Sequence, residues 1–165
     1  MRSLILLLFI LPFSVFAQNK FAYVNVDDIF SKMPELKDVE SKLATKNESA
    51  KKNIQAMETE FNNKVTEFET LTKEGMSESV AADKQKELQD LQNRYRLFVQ
   101  NSQQEFDNEQ RTLLAPLQEK MMKAIKEVGD ENKYTFIFNT AALLHAGSDA
   151  IDANPQVKVK LGITD

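Results

Sequence analysis

The chain has 165 residues, enough for one domain or for one small domain carrying an extension. Its 21 Lys and Arg residues against 25 Asp and Glu residues give a formal net charge of -4, which argues against a nucleic-acid partner because phosphate binding needs concentrated positive charge. It contains no Cys, which excludes disulfides, and its 4 Gly and 4 Pro residues predict long uninterrupted helices.

The first 17 residues are predicted to be a secretory signal peptide. Met1 and Arg2 give a positively charged start, an apolar run follows at residues 4–16, and Ala17 provides a small residue before a cut ahead of Gln18. The run is shorter than the roughly 20 apolar residues that cross a bilayer, which disfavours a membrane anchor. We therefore expect an exported chain that is soluble outside the cytoplasm and has no stable membrane insertion.

A short strand is predicted at residues 21–26, where FAYVNV is rich in aromatic and β-branched residues. Asp27 and Asp28 can cap a helical turn that carries Ile29 and Phe30. Pro34 suits the first turn of the helix that follows.

A long helix is predicted at residues 35–72, which contain neither Gly nor Pro. Its apolar residues form one narrow stripe, nearer to a coiled-coil seam than to a globular core face, with Lys46 falling on the stripe. A helix with such a stripe cannot wrap a compact core, so we expect it to project and pair. The stripe contains Leu36, Val39, Leu43, Ala50, Ile54, Met57, Phe61, Val65, Phe68 and Leu71.

Residues 73–79 interrupt the helical pattern and predict the tip of a hairpin. Gly75 can adopt the left-handed conformation that ends a helix, and Ser77 or Ser79 can cap the next one. The second helix is predicted to bend at Pro116 and to end at Gly129. Its stripe contains Ala81, Leu88, Leu91, Tyr95, Phe98, Ser102, Phe106, Leu113, Leu117, Met121, Ala124 and Val128.

The last part of the chain changes character and predicts a second strand at residues 134–139, followed by a short apolar run at 141–145. A loop and a terminal helix follow, with Asp152 or Asn154 as the cap and Pro155 in the first turn. The end segments, 18–34 and 130–165, thus form a small β body, and residues 35–129 form the inserted hairpin. Because so few residues rarely bury enough apolar surface alone, we expect oligomerisation through the body. The candidate contacts are Phe21, Tyr23, Ile29, Phe30, Tyr134, Phe136, Ile137 and Phe138.

The order of these features resembles the Skp/OmpH family of periplasmic chaperones. The opening FAYVNVDDIFSKMP, the long charged hairpin and the closing YTFIFNTAALLHAGSDAIDANPQVKVKLGI carry the resemblance over essentially the whole chain after the signal peptide. The resemblance implies an α+β, predominantly helical fold: a long antiparallel coiled-coil hairpin inserted in a small β body, assembling as a homotrimer with tentacle-like arms. It also implies a cavity between the arms that holds unfolded outer-membrane proteins without ATP.

A holdase of this kind needs many weak apolar contacts on flexible arms. The three Phe residues among the candidates lie on the stripes and are better explained by packing within the hairpin. The candidate client-binding residues are Met57, Phe61, Phe68, Met76, Leu97, Val99 and Phe106. One departure from the family is electrostatic: members can be strongly basic at the arm tips, whereas residues 62–88 carry more Asp and Glu than Lys. Lipopolysaccharide binding is therefore not carried over.

The sequence offers no defensible catalytic, cofactor or metal site. His145 is the only histidine, and without Cys a zinc site would need carboxylates from several segments. No phosphate-binding Gly motif or nucleophile elbow is present, so we expect no enzyme activity and no cofactor. The alternative to a holdase is a structural coiled-coil protein of the cell envelope with one fixed partner; a small hydrolase using His145 ranks far behind.

Overall fold

The computed structural model describes residues 19–164, so the predicted signal peptide lies outside the described residues. Its elements are two long helices flanked by short strands and helices. In chain order they are β1 (Phe21–Val24), α1 (Val26–Ser31), α2 (Leu36–Glu74), α3 (Glu78–Asn132), β2 (Phe136–Asn139), a 3₁₀ turn (Thr140–Ala142), β3 (Ile151–Asp152) and α4 (Asn154–Leu161).

The three strands form one parallel sheet in the order β2-β1-β3. Phe21 pairs with Phe136 and Tyr23 pairs with Phe138, so these four aromatic side chains lie on one face of the sheet. Ala22 and Val24 point to the opposite face, where both are buried. The first strand of the chain is therefore central, and it joins segments more than 100 residues apart.

The hydrophobic core lies between the sheet and the helices. Strand β1, helices α1 and α4 and the last three turns of α3 all contribute to it. Ile29 and Val157 are fully buried, and Met121, Ala124 and Val128 of α3 close the core from the other side. The core thus spans both sides of the predicted boundary at residues 129–130, because the base of the hairpin is one of its walls.

The hairpin formed by α2 and α3 extends from this body. Helix α2 has 39 residues and α3 has 55, and the two helices pack against each other along the arm. Ion pairs between the two helices show the direction in which they pair, since Lys46 contacts Glu105 and Lys64 contacts Glu87. Later residues of α2 therefore pair with earlier residues of α3.

The hairpin tip forms as predicted. Gly75 ends α2 with φ 85° and ψ 53°, and its N–H bonds to the Thr72 carbonyl. Ser77 is the N-cap of α3, where its hydroxyl accepts from the Val80 N–H. At the other end of the chain, Pro155 lies in the first turn of α4 as expected.

Gly129 does not end α3, contrary to the prediction. The helix continues to Asn132 and ends at Lys133, which adopts the left-handed conformation with φ 57°. A Cβ at Gly129 would lie 3.3 Å from the Cδ1 atom of Ile137, so the glycine allows α3 to approach β2 closely. The glycine therefore marks a packing contact between helix and sheet and not a helix end.

Three further predictions of local structure are corrected. Asn25, and neither Asp27 nor Asp28, caps α1, because its side-chain oxygen accepts from the Asp28 N–H. Strand β2 begins at Phe136, two residues later than predicted. The loop that was expected after residue 149 contains strand β3, and Ala153 occupies the N-cap position of α4 while Asp152 accepts from the Asn154 N–H.

Candidate functional site

The arm, defined here as the hairpin between residues 40 and 120, is held by a thin seam. Within this span, all of which the structure describes, Leu91 is the only buried side chain, and the other seam residues are half-buried. One narrow stripe on each helix can close only a single line of contact, so both sides of that line stay open to solvent. The two sides differ in chemistry, and we call them the charged flank and the neutral flank.

The charged flank carries ion pairs between the helices along most of its length. Lys46 lies 3.5 Å from Glu105, Arg94 lies 3.8 Å from Glu60, and a cluster of four charges follows nearer the tip. Glu60 and Arg94 also line an open cavity on this side. The other residues that line it are the charged Asp83, Lys86, Glu87 and Asp90 and the buried Leu91.

The four-charge cluster is a closed ring of two lysines and two glutamates. Lys64 Nζ lies 2.8 Å from Glu87 and 3.5 Å from Glu67, and Lys84 Nζ lies 2.6 Å from Glu67 and 3.5 Å from Glu87. The hydrogen bond from Lys84 lowers the pKa of Glu67, and the one from Lys64 lowers the pKa of Glu87. The same bonds raise the pKa of both lysines. The ring links the two helices, and its two positive and two negative charges sum to zero.

The neutral flank is lined mainly by aromatic, aliphatic and amide side chains, and Glu58 and Lys51 are the charged residues beside them. Its outer cavity, of about 390 Å³, lies between Phe61 on α2 and Tyr95 on α3. The Tyr95 hydroxyl donates to Glu58 at 3.0 Å, and this bond raises the pKa of Tyr95. The rim is completed by the amides of Asn62 and Gln92.

A second cavity, of about 520 Å³, lies closer to the body. Ala50 and Ser102 stand on the seam there and are too short to close it, so residues of both flanks line the opening. Its neutral side includes Val99 and Phe106, and its charged side includes the Lys46–Glu105 pair. The lysine that interrupts the apolar stripe in the sequence, Lys46, thus lines this cavity.

The predicted client-binding residues fall on different parts of the arm. Met57, Phe61, Phe68 and Phe106 are half-buried on the seam, and Met76 is half-buried at the tip. Val99 is 37% exposed and lines a cavity on the neutral flank, whereas Leu97 is 51% exposed one helical turn beyond Arg94, which pairs on the charged flank. The sequence placed Leu97 and Val99 together, and the structure separates them.

The predicted oligomerisation residues divide between two sides of the sheet. Phe21, Phe136 and Phe138 are 48%, 56% and 41% exposed, and their ring centroids lie 5.9 to 6.4 Å apart. Tyr23 shares their face and is half-buried. Ile29 is fully buried in its own chain and Phe30 packs against the same core, so Ile29 has no surface to offer to another copy.

Within residues 19–164, no group of three or more His, Asp or Glu side chains is placed to hold a metal ion. His145 is exposed on the loop after β2. In the same part of the chain, no helix is both long enough and apolar enough to span a membrane.

Two sequence signals could have revealed the flanks. Gln85, Gln92 and Val99 follow one another at seven-residue intervals beside the seam positions of α3, and the next position in this row is Phe106 of the seam itself. Glu87 and Arg94 form a second row at the same spacing. Which row faces α2 depends on the pairing of the helices, and a stripe on a single helix does not specify that pairing.

Comparison with known proteins relates the whole fold to one family. The family model described as outer membrane protein (OmpH-like) matches residues 20–161. Among solved structures, the chain is similar to one named an OmpH-like outer membrane chaperone from Caulobacter crescentus, with a TM-score of 0.76 and 16% sequence identity over 88% of this chain and 85% of that one. At that identity the likeness concerns the fold. No curated protein matches the sequence significantly.

Proposed function

The chain belongs to the OmpH-like family of outer membrane proteins, and on that premise we propose that it is a periplasmic holdase chaperone for unfolded outer-membrane proteins. It binds its clients without ATP and shields them from aggregation. The arm carries the proposal: at about 1.5 Å per residue the 39-residue α2 is more than 50 Å long, and its neutral flank offers uncharged, half-buried apolar surface.

In this proposal the chain assembles as a homotrimer through the aromatic face of its sheet. Parallel sheets are almost always covered on both faces, yet here the helices cover only the face that carries Ala22 and Val24. Burying apolar area contributes about 25 cal/mol per Å², so three clustered Phe rings in water favour a partner surface. Three copies would direct three arms to one side and enclose a cavity.

Client binding by many weak contacts follows from the thin seam. Unfolded membrane β-barrels expose apolar strands and unpaired backbone groups that aggregate readily. A holdase has to release them, so each contact is weak and the total is strengthened by several arms acting together. The proposed contacts are Met57, Phe61, Phe68, Met76 and Val99. Leu97, which the sequence also suggested, lies beyond Arg94 on the charged flank and is not proposed as a contact.

The first experiment dilutes a urea-denatured outer-membrane β-barrel protein into buffer with and without the chain and follows turbidity. We expect suppression at about one trimer per client, without added nucleotide. Unchanged turbidity at a molar excess would contradict the holdase function and would favour an envelope protein with one fixed partner. Such a protein would instead bind a single folded partner and ignore the unfolded one.

The second experiment measures the assembly. Sedimentation equilibrium should give a trimer for the wild-type chain and a shift toward monomer for Phe136→Ser/Phe138→Ser. The matched control is Val159→Ser, an equally apolar position on α4 that is 79% exposed and away from the aromatic face. A monomeric wild-type chain, or an equal shift for the control, would contradict assembly through that face.

A further inference from the structure

We propose that the neutral flank of each arm is a groove for one extended, uncharged polypeptide segment, which it holds side-on along the middle of the hairpin. This inference rests on the proposed holdase function and identifies the surface and the form of client that it binds. The charged flank, in contrast, takes no part in client binding.

The floor of the groove is apolar and partly open. Phe61 and Tyr95 line the outer cavity, and Ile54, Val99 and Phe106 line the inner one. Tyr95, Val99 and Phe106 stand four and seven residues apart on α3, so they form one row along the helix. Two cavities on one continuous row provide successive sites for side chains that point the same way.

The rim of the groove is made of groups that can bond a polypeptide backbone. Asn62 and Gln92 flank the outer cavity, and Asn47 and Gln103 flank the inner one. A side-chain amide both donates and accepts hydrogen bonds, so it can serve either an N–H or a C=O group of an unpaired strand. Charged rims would instead select for side chains of opposite charge.

The length of the groove fits an extended segment. From Asn47 to Asn62 the α2 backbone rises about 22 Å at 1.5 Å per residue. An extended chain rises about 3.3 Å per residue, so about six or seven residues would lie along the groove, with alternate side chains directed toward its floor. Strands of membrane barrels alternate apolar and polar residues with this period and carry few charges on their apolar face.

Charge complementarity assigns the segment to this flank. On the charged flank an apolar strand would remove water from Lys64, Glu67 and the other paired charges, which costs free energy without new partners. On the neutral flank, Glu58 already accepts from Tyr95, and Lys51 is exposed at the edge of the inner cavity. An uncharged strand would therefore remove fewer charged groups from solvent there.

Fluorescent labels on the two flanks test the assignment directly. The chain has no Cys, so Val99→Cys and Leu97→Cys each carry a single polarity-sensitive fluorophore. Adding a urea-denatured outer-membrane β-barrel protein should shift the emission of the label at 99 to the blue and leave the label at 97 unchanged. Equal shifts at both positions would overturn the proposal. So would a label at 99 that is already shielded in the client-free protein, because another copy would then occupy the groove.

Matched charge substitutions measure the contribution to affinity. We expect Val99→Asp to weaken binding of the same client at least 5-fold, because the new carboxylate would lie in the groove. Leu97→Asp is the matched control: it adds the same charge to an exposed position of the same helix outside the groove, and it should change binding less than 2-fold. Circular dichroism checks that both variants keep the hairpin. Equal effects would overturn the groove while leaving the holdase function intact, whereas a wild-type chain that binds no client would contradict the proposed function itself.

Discussion

The body and the arm of this protein are stabilised in different ways. The body buries Ile29, Val157 and nine further residues in one core that joins the two ends of the chain. The arm buries only Leu91 between residues 40 and 120 and depends on a half-buried seam with ion pairs on one side. Local stability follows buried apolar contact, so the arm should open without unfolding the body. A rigid base and a compliant arm can therefore coexist in one chain.

The largest expected effect is in the body. Ile29→Ala removes most of a fully buried side chain and should lower the free energy of unfolding by about 3 kcal/mol. Urea denaturation monitored by circular dichroism measures it. The control, Val159→Ala at a highly exposed position, should change it by less than about 0.5 kcal/mol. A loss at Ile29 as small as that of the control would mean that the core does not hold the body.

A smaller and more local effect is expected at the one buried position of the arm. Leu91→Ala should cost roughly 2 kcal/mol, less than a fully enclosed leucine, because the surrounding seam is half exposed. Hydrogen exchange should become faster in residues 55–95 and stay unchanged in α4. Faster exchange in both regions would show that arm and body unfold as one unit.

The ring of four charges should make the distal arm sensitive to acid. The folded-state pKa values of Glu67 and Glu87 lie below their usual value of 4.5, so the stabilisation is complete above about pH 4.5 and is lost as the pH falls through the lowered values. Lys64 and Lys84 have raised pKa values and lose their contribution only in strong base. Other charged residues lie on the same flank: Glu60, Asp83, Lys86, Asp90 and Arg94.

Hydrogen exchange of residues 62–90 at pH 3 and pH 6 measures this sensitivity. The wild-type arm should lose protection at the lower pH, and Glu67→Gln/Glu87→Gln should already be less protected at pH 6 and change little further. High salt should mimic the variant, because exposed ion pairs are screened. An unaltered pH response in the double variant would assign the acid sensitivity to other groups on that flank.

The smallest effect is expected at the Tyr95–Glu58 hydrogen bond. Tyr95→Phe removes the hydroxyl and keeps the ring, so it should lower the local stability of the arm slightly, because the lost hydrogen bond is exposed to solvent. Glu58→Gln retains an acceptor and serves as the control, with a smaller loss. Exchange rates near residues 58 and 95 measure both; equal rates in Tyr95→Phe and wild type would show that the bond contributes nothing.

Much of the arm could be predicted from the sequence because its signals are local. Gly75 acts through its own backbone conformation and was assigned correctly as the end of α2. Ser77 acts through its own side chain and was one of the two caps predicted for α3. Gly129 was misassigned because its role is a contact with Ile137 on another element. The predicted caps of α1 and α4 were wrong by at most three residues. Several Asn and Asp residues lie close together at these helix starts, and each of them could serve as the N-cap.

The candidate site was only partly predictable. The aromatic residues of the body were identified by type, yet the grouping of four of them on one free face follows from the parallel register of β1 and β2. On the arm, Leu97 and Val99 looked equivalent because both flank a seam residue. Their separation into charged and neutral flanks required the partner helix, since Glu60 and Glu58 lie on opposite sides of the α2 stripe.

The sequence by itself determined two long helices, their seam and the tip, because helical periodicity and end signals act within a few residues. The tertiary structure decided the parallel sheet with β1 at its centre, the aromatic face and the two unlike flanks of the arm. Each of these depends on residues that lie far apart in the chain, such as Phe21 beside Phe136 and Lys64 beside Glu87. Pairing across such distances depends on how whole helices and strands pack together, and a local sequence pattern does not specify that packing.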